Sequence, residues 1–354
     1  GFYTSSVDEA WALPDFRKSA VEQANAIEVF HRNPIYAKLL NELGECLISE
    51  FRMENGLYSD RVALLSGPTK LSEEIASAIA NTWTFEDLQS ILSPMELSAM
   101  LDTFDIGIDG NTSAVQDVVG AYAGRNVIRP KIKDRLIDLK EPEKSAVAAL
   151  NRNSQSRHFL KKELIASLGT NALIASALLK IEGNDGERFV SEARSILGLL
   201  WGIHFDSKNK RLFSSSRNSK CGRGEASSKG YALLISALLD FHGQTREALF
   251  LDRALRLQAI MDDRFASEEG PYWIAPKGMS TSDIPMNLLA FIEDEFGSAN
   301  ALQLTNLARF ARLVDDANYR VRANNILQRI PEDASYAPEA YIGLLRSALA
   351  VVGN

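Results

Sequence analysis

At 354 residues with 45% apolar side chains, the chain has enough hydrophobic content for a substantial core, as one large or two ordinary domains. A formal net charge of -7 excludes a general nucleic-acid binder, because phosphate contacts demand clustered Lys and Arg. No apolar run is long enough to cross a bilayer, no signal-peptide pattern opens the chain, and two cysteines without Cys-x-x-Cys spacing give no redox or zinc signature.

In chain order, apolar residues at helical spacing predict a first pair of helices over 14–31 and 34–52, carried by Phe16, Ala20, Ala24 and Ile27 and then by Ile35, Leu39, Leu43 and Leu47. Asn33-Pro34 supplies the break, Asn as a cap and Pro at the first helical position. Residues 57–140 depart from this rhythm. They hold a Ser66-Gly67-Pro68 turn, an extended candidate at Ile79–Trp83, two helices near 84–92 and 94–104, and a basic run from Arg129 to Lys140. This stretch reads as an insertion or lid.

Further pairs are predicted over 163–181 and 186–203, 227–243 and 246–264, and 300–313 and 316–329, with a last helix over 336–350. The first helix of a pair is apolar almost all round, as in Tyr231-Ala232-Leu233-Leu234-Ile235, whereas the second carries one stripe, as in Phe189, Ala193, Ile196 and Leu200. A helix apolar all round is buried on all sides. The expected architecture is therefore all-α, an α/α toroid of inner helices wrapped by outer ones. Its expected organisation is a first pair over 1–56, the insertion over 57–140, and the remaining pairs over 141–354.

One local pattern marks the return from outer to inner helix: a phenylalanine, a polar turn, then aromatic residues on a short extended stretch. Phe51 leads to Leu57-Tyr58, Phe205 to Leu212-Phe213, and Phe265 to Tyr272-Trp273. Self-similarity at a period of roughly 55 residues is the mark of a repeat architecture. Gly1-Phe2-Tyr3-Thr4 reads as a further copy without its leading helix. Together with the missing initiator Met, it predicts a fragment whose first hairpin, and any targeting segment, lie upstream. Oligomeric state stays open, and the cytoplasm is the default location.

The opening stretch from Gly1 to Lys18, with Ser6, Asp8, Trp11, Pro14, Phe16 and Lys18 in place, resembles the YyaL-like proteins, which include the spermatogenesis-associated thioredoxin-like group. Trp83-Thr84-Phe85-Glu86, Gly110-Asn111 and Gly297-Ser298-Ala299-Asn300 are similar to later motifs of the same family. The resemblance implies a six-hairpin (α/α)6 barrel of the type found in glycosidases and N-acylglucosamine 2-epimerases. It also implies a thioredoxin-like domain upstream as a partner. Three inner-helix starts depart from the family: Asp15-Phe16-Arg17-Lys18 stands for His-Phe-Glu-Lys, Lys161-Lys162-Glu163 for an Asp-Asp-Lys, and Lys229-Gly230-Tyr231-Ala232 for Asp-Asp-Tyr-Ala. These departures imply a catalytic set partly or wholly lost.

Sugar-ring chemistry needs paired carboxylates or an acid and base across a carbon. Asp8 and Asp15 are the candidate acid and base, with Glu163 a further carboxylate at the same end; against this, an Asp near a helix start is commonly a cap. Trp11, Tyr231 and Trp273 are candidate stacking platforms and Asn300 a polar contact, with packing at the rim as the competing reading. His31, His204 and His242 read as structural groups near helix ends. No histidine pair has ligand spacing, so no metal or other cofactor is expected. Arg217, Lys220, Arg223 and Lys229 lie in a Ser/Gly-rich loop that could draw an anion, though a solvated loop explains them equally. The leading expectation is a carbohydrate-related toroid with a sugar ligand at its axis. The alternative is a non-catalytic scaffold working with the thioredoxin-like domain.

Overall fold

The computed structural model describes residues 1–67, 71–132, 139–157, 159–183, 185–222, 224–278 and 288–352. Pro68, Asn184, Arg223 and residues 133–138 of the basic run lie outside them. Among the described residues thirteen α-helices follow in order: α1 (Ala20–Phe30), α2 (Ala37–Cys46), α3 (Glu73–Asn81), α4 (Phe85–Ile91), α5 (Pro94–Thr103), α6 (Glu141–Arg157), α7 (Leu168–Leu178), α8 (Gly186–His204), α9 (Ser228–Thr245), α10 (Ala248–Phe265), α11 (Ala299–Leu313), α12 (Ala317–Leu327) and α13 (Ile342–Val352). They belong to two compact units. One comprises Gly1, Ala20–Asp60 and Glu163–Asn354; the other comprises Phe2–Ser19 and Arg61–Lys162.

The first unit is the all-α toroid. Inner helices pack in chain order, α1 on α7, α7 on α9, α9 on α11 and α11 on α13, while α2, α8, α10 and α12 each pack on the inner helix preceding them. Burial follows the sequence pattern. In α9, Tyr231 to Ile235 and Ala237 to Leu239 are buried in turn, whereas α8 buries one stripe of Phe189, Ala193, Ile196, Leu197 and Leu200. Each fully buried Leu, Ile or Phe contributes about 1.5–3 kcal/mol, so the inner ring carries the core. Asn33 behaves as expected: its side chain accepts from the Ile35 N–H, and Pro34 opens the short turn that leads into α2.

The second unit is a three-stranded antiparallel sheet with four helices. Arg61–Leu65 is the central strand, pairing with Lys18–Ser19 on one side and Phe159–Lys162 on the other. Helices α4, α5 and α6 close over Trp83, Leu88, Leu92, Met100, Phe104, Ala146 and Leu150. The family-like motifs hold this unit together. Thr84 caps α4 in a reciprocal capping box with Asp87, and the Asn111 amide bonds the carbonyls of Asp105 and Val127 and the Val127 N–H.

Three local expectations need correction. The first helix begins at Ala20, not at 14, because Pro14–Asp15 pairs with Ser5–Ser6 and the Asp15 carboxylate accepts from the Arg17 N–H, a local bond that competes with helix. Ile79–Asn81 is the end of α3, not a strand: the alanine-rich stretch with Glu73 and Glu74 in its first turn favours helix, and only Trp83 bridges to Asn126. The predicted helix 163–181 splits, Ile165–Ser167 forming a strand against Ser215–Arg217 before α7 starts.

Candidate functional site

The inner helices α1, α7, α9, α11 and α13 line an axial cavity of about 600 Å³ that is half open to solvent. Return helices α2, α8, α10 and α12 separate the successive inner helices, so all five inner helices run the same way and their like ends meet. The lining changes along the axis. Towards the N-terminal ends stand Phe296, Ala301, Leu302 and Gly343; towards the C-terminal ends stand Glu28, Arg32, Lys180, Asp240 and Arg309. Hydroxyls of Ser176, Ser236, Thr305 and Ser347 lie between, with Thr305 donating to Ser347 at 3.2 Å. The Asn25 amide ties α1 to the loop before α11, donating to the Glu295 carbonyl at 2.9 Å.

Four of the charged residues that line the cavity form two ion pairs. Lys180 bonds Glu28 between α7 and α1, and Arg309 meets Asp240 at 2.8 Å between α11 and α9. Both pairs are partly buried, at the C-terminal halves of helices where Lys and Arg also complement the backbone dipole. Among the described residues no group of three or more His, Cys, Asp or Glu side chains could hold a metal ion, and no helix is long and apolar enough to cross a membrane. Cys46 is buried and Cys221 exposed, and neither is in a disulfide.

The six residues singled out from sequence fall in two places, and the described cavity lining is made by other residues. Asp8, Trp11 and Asp15 are in the second unit. Desolvation pulls the Asp8 carboxyl upward, but hydrogen bonds from the Ala12, Leu13 and Ala10 backbone and from Gln116 outweigh it and hold it below its ordinary value. Ala10 donates at 2.9 Å and the Gln116 amide at 3.1 Å. Asp15 is likewise lowered, burial being overcome by its bond and charge contact with Arg17. Trp11 sits at φ 53° in the turn closed by its N–H on the Asp8 carbonyl, and the residue is 51% exposed. A bulky residue there is a conformational outlier.

Tyr231, Trp273 and Asn300 come together in the first unit, around the return into α9 and α11. Asn300 is fully buried, its amide spent on the backbone of Tyr272. Tyr231 is fully buried too; its hydroxyl accepts from the Leu212 N–H at 2.8 Å, and desolvation raises it to about 12. Trp273 is partly buried, bridging Leu289 while its N–H donates to Phe265 at 2.8 Å.

His204 is an equivalent group that sequence reading placed only beside the repeat. The backbone bonds Ser59 to Phe51, Phe213 to His204 and Trp273 to Phe265 show that His204, not Phe205, holds the repeat position. Its Nδ1 donates to the Phe213 carbonyl at 2.9 Å, so Nε2 accepts from the Ser216 hydroxyl at 3.1 Å, and burial lowers its pKa. The cavity-lining polar groups were missed because they stand on helices whose apolar pattern dominates the reading; their one signal is a charged residue on an otherwise buried helix, as at Asp240.

No protein-family model matches the chain. It is 23% identical to spermatogenesis-associated protein 20 of Rattus norvegicus over 388 residues, which is 98% of this chain and 48% of that protein. An uncharacterized protein of Caenorhabditis elegans is 22% identical over 96% of this chain and 50% of its own length. The chain thus spans about half the length of these relatives. Among solved structures, D-mannose isomerase aligns over 88% of this chain and 74% of its own, with 10% identity and a TM-score of 0.42. The resemblance carried by the opening motif and the aromatic turns therefore holds: over nearly its whole length this chain is similar to spermatogenesis-associated protein 20.

Proposed function

We propose that the protein is a carbohydrate-binding α/α toroid whose ligand occupies the axial cavity, and that it binds without cleaving. The observation that carries the reading is the cavity itself. Its volume of about 600 Å³ suits a mono- or disaccharide, and its walls present hydroxyl, amide and charged groups from five separate helices. Glycosidic cleavage needs one carboxyl group that arrives protonated beside a second that does not. An ammonium on Glu28 and a guanidinium on Asp240 favour binding instead. Asp8 and Asp15, the candidate acid and base, have partners within the second unit, Gln116 for one and Arg17 for the other, which argue for a structural role.

A thermal-shift screen over mono- and disaccharides tests this. A sugar that raises the melting temperature of the native chain should leave a Ser236→Trp variant, in which the indole fills the cavity, unmoved. A flat response across the whole panel removes the reading.

A second reading, a scaffold for a thioredoxin-like domain, draws support from Val115 and Val118 in the second unit, which are 87% and 86% exposed. Exposed apolar side chains that form a contiguous patch mark contact surfaces. Undiminished association of that domain with a Val118→Asp variant would end it.

A further inference from the structure

Two arginines in the axial cavity are left over after its ion pairs are made, and they set the class of sugar it takes. Among the described residues the lining holds Arg32, Lys180, Arg309 and Arg346 against Glu28, Asp240 and Glu295, four cations to three carboxylates, in a chain whose formal net charge is -7. Lys180 and Arg309 are consumed by Glu28 and Asp240. Glu295 stands on the loop before α11, beside the N-terminal ends of the inner helices. Arg32 stands just past the C-terminal end of α1, and Arg346 in the middle of α13. Both are exposed, and neither has a carboxylate partner among the described residues.

We infer that the cavity selects an anionic sugar, a sugar acid or a sugar phosphate, whose carboxylate or phosphate is held by Arg32 and Arg346. The inference rests on the cavity being the carbohydrate site. A guanidinium presents a planar fork of donors that matches both anions, and a cleft with an excess of positive charge raises the local concentration of an anionic ligand. Complementing a helix dipole accounts for Arg32 alone; Arg346, in mid-helix, has no such role. The remaining ring hydroxyls of the sugar would meet Ser176, Ser236, Thr305 and Ser347.

Isothermal titration of the full chain with D-galacturonate, D-glucose 6-phosphate, the neutral parents D-galactose and D-glucose, and inorganic phosphate tests the inference. One of the two charged sugars is expected to bind at least tenfold more tightly than its neutral parent, and which one does so identifies the anion. Arg32→Ala and Arg346→Ala should each weaken it about tenfold or more, with Arg346→Lys between native and Ala. Arg188→Ala, an ion pair outside the cavity, should change nothing. Neutral and charged sugars binding equally, with the arginine variants unaltered, would overturn the anionic class and leave the cavity as a sugar site. Inorganic phosphate binding as tightly as the sugar phosphate would reduce the site to a plain anion site. No binding by any sugar would overturn the cavity reading itself.

Discussion

The side-chain amide of Asn300 holds Tyr272 at both ends of its peptide unit, accepting from the Tyr272 N–H at 2.9 Å and donating to the Tyr272 carbonyl at 3.1 Å. Asn171 does the same for Tyr58, at 2.7 and 3.0 Å. In the middle copy the Tyr231 hydroxyl takes the Leu212 N–H that would otherwise be stranded. Each clamp comes from the inner helix that follows the turn. It fixes where the chain re-enters the ring and satisfies a backbone group that burial would leave costly.

Replacing Asn300 by Ala orphans the buried Tyr272 N–H, while the Tyr272 carbonyl keeps the Ala290 N–H at 2.9 Å; replacing Asn171 by Ala takes the side-chain partner from both the N–H and the carbonyl of Tyr58. Each costs about 1–3 kcal/mol. Chemical denaturation of Asn300→Ala and Asn171→Ala should show losses of that order in both. A loss below 0.5 kcal/mol, about the scatter expected of a surface substitution, would mean that the clamps are incidental.

The pH dependence of stability should carry the signature of His204. Burial lowers its folded-state value below the ordinary 6.5, so the unfolded chain binds the proton first as pH falls. The His204 contribution is then fully present above about pH 6.5 and declines below it, by at most about 1.4 kcal/mol per pH unit, until the folded-state value is passed. His204→Phe places in the second copy the residue found at Phe51 and Phe265, and should flatten the melting curve across that window. An unchanged slope in the variant would assign the pH dependence elsewhere.

Gly110 is required by space as well as by conformation. It sits at φ 87°, and an added Cβ would lie 2.6 Å from the Arg125 nitrogen. Gly110→Ala should cost on the order of 1–3 kcal/mol, read by protease susceptibility of the 105–129 region. A variant as resistant as the native chain would show that the backbone yields there.

Between outer helices α10 and α12, Arg322 meets Asp262 and the Tyr272 hydroxyl. Burial lowers Arg322 to about 10, still charged at neutral pH. Asp262→Ala should destabilise by about 2–4 kcal/mol because it strands that charge, whereas Tyr272→Phe should cost about 1 kcal/mol. The reverse order, measured in urea, would mean that the hydroxyl carries the network.

What could be read from sequence is what periodicity encodes. Helices α8 to α12 fall close to their expected limits because one residue in three or four is apolar and Gly or Asp marks the breaks. The start of α1 was misjudged because Asp15 closes a bond to its own neighbour's backbone, which no apolar count reveals. Tyr231, expected as a stacking platform, and Asn300, expected as a polar contact, stand in the first turns of α9 and α11; their partners, backbone groups of a preceding turn, belong to the tertiary fold. The ion pairs Glu28–Lys180 and Asp240–Arg309 join residues 152 and 69 apart in sequence, a separation that a local pattern does not span.

The walls of the axial cavity are drawn from residues 25–32 at one end of the chain and 343–350 at the other, with α7, α9 and α11 between. Consecutive hairpins of the ring can stack as neighbours, but the cavity exists only once α1 and α13 are both in place. A ligand bound there as proposed would therefore report on completed folding and stabilise the whole ring by a single thermodynamic link. Shortening the chain from α13 should extinguish binding before it disturbs the pairing of α7 with α8.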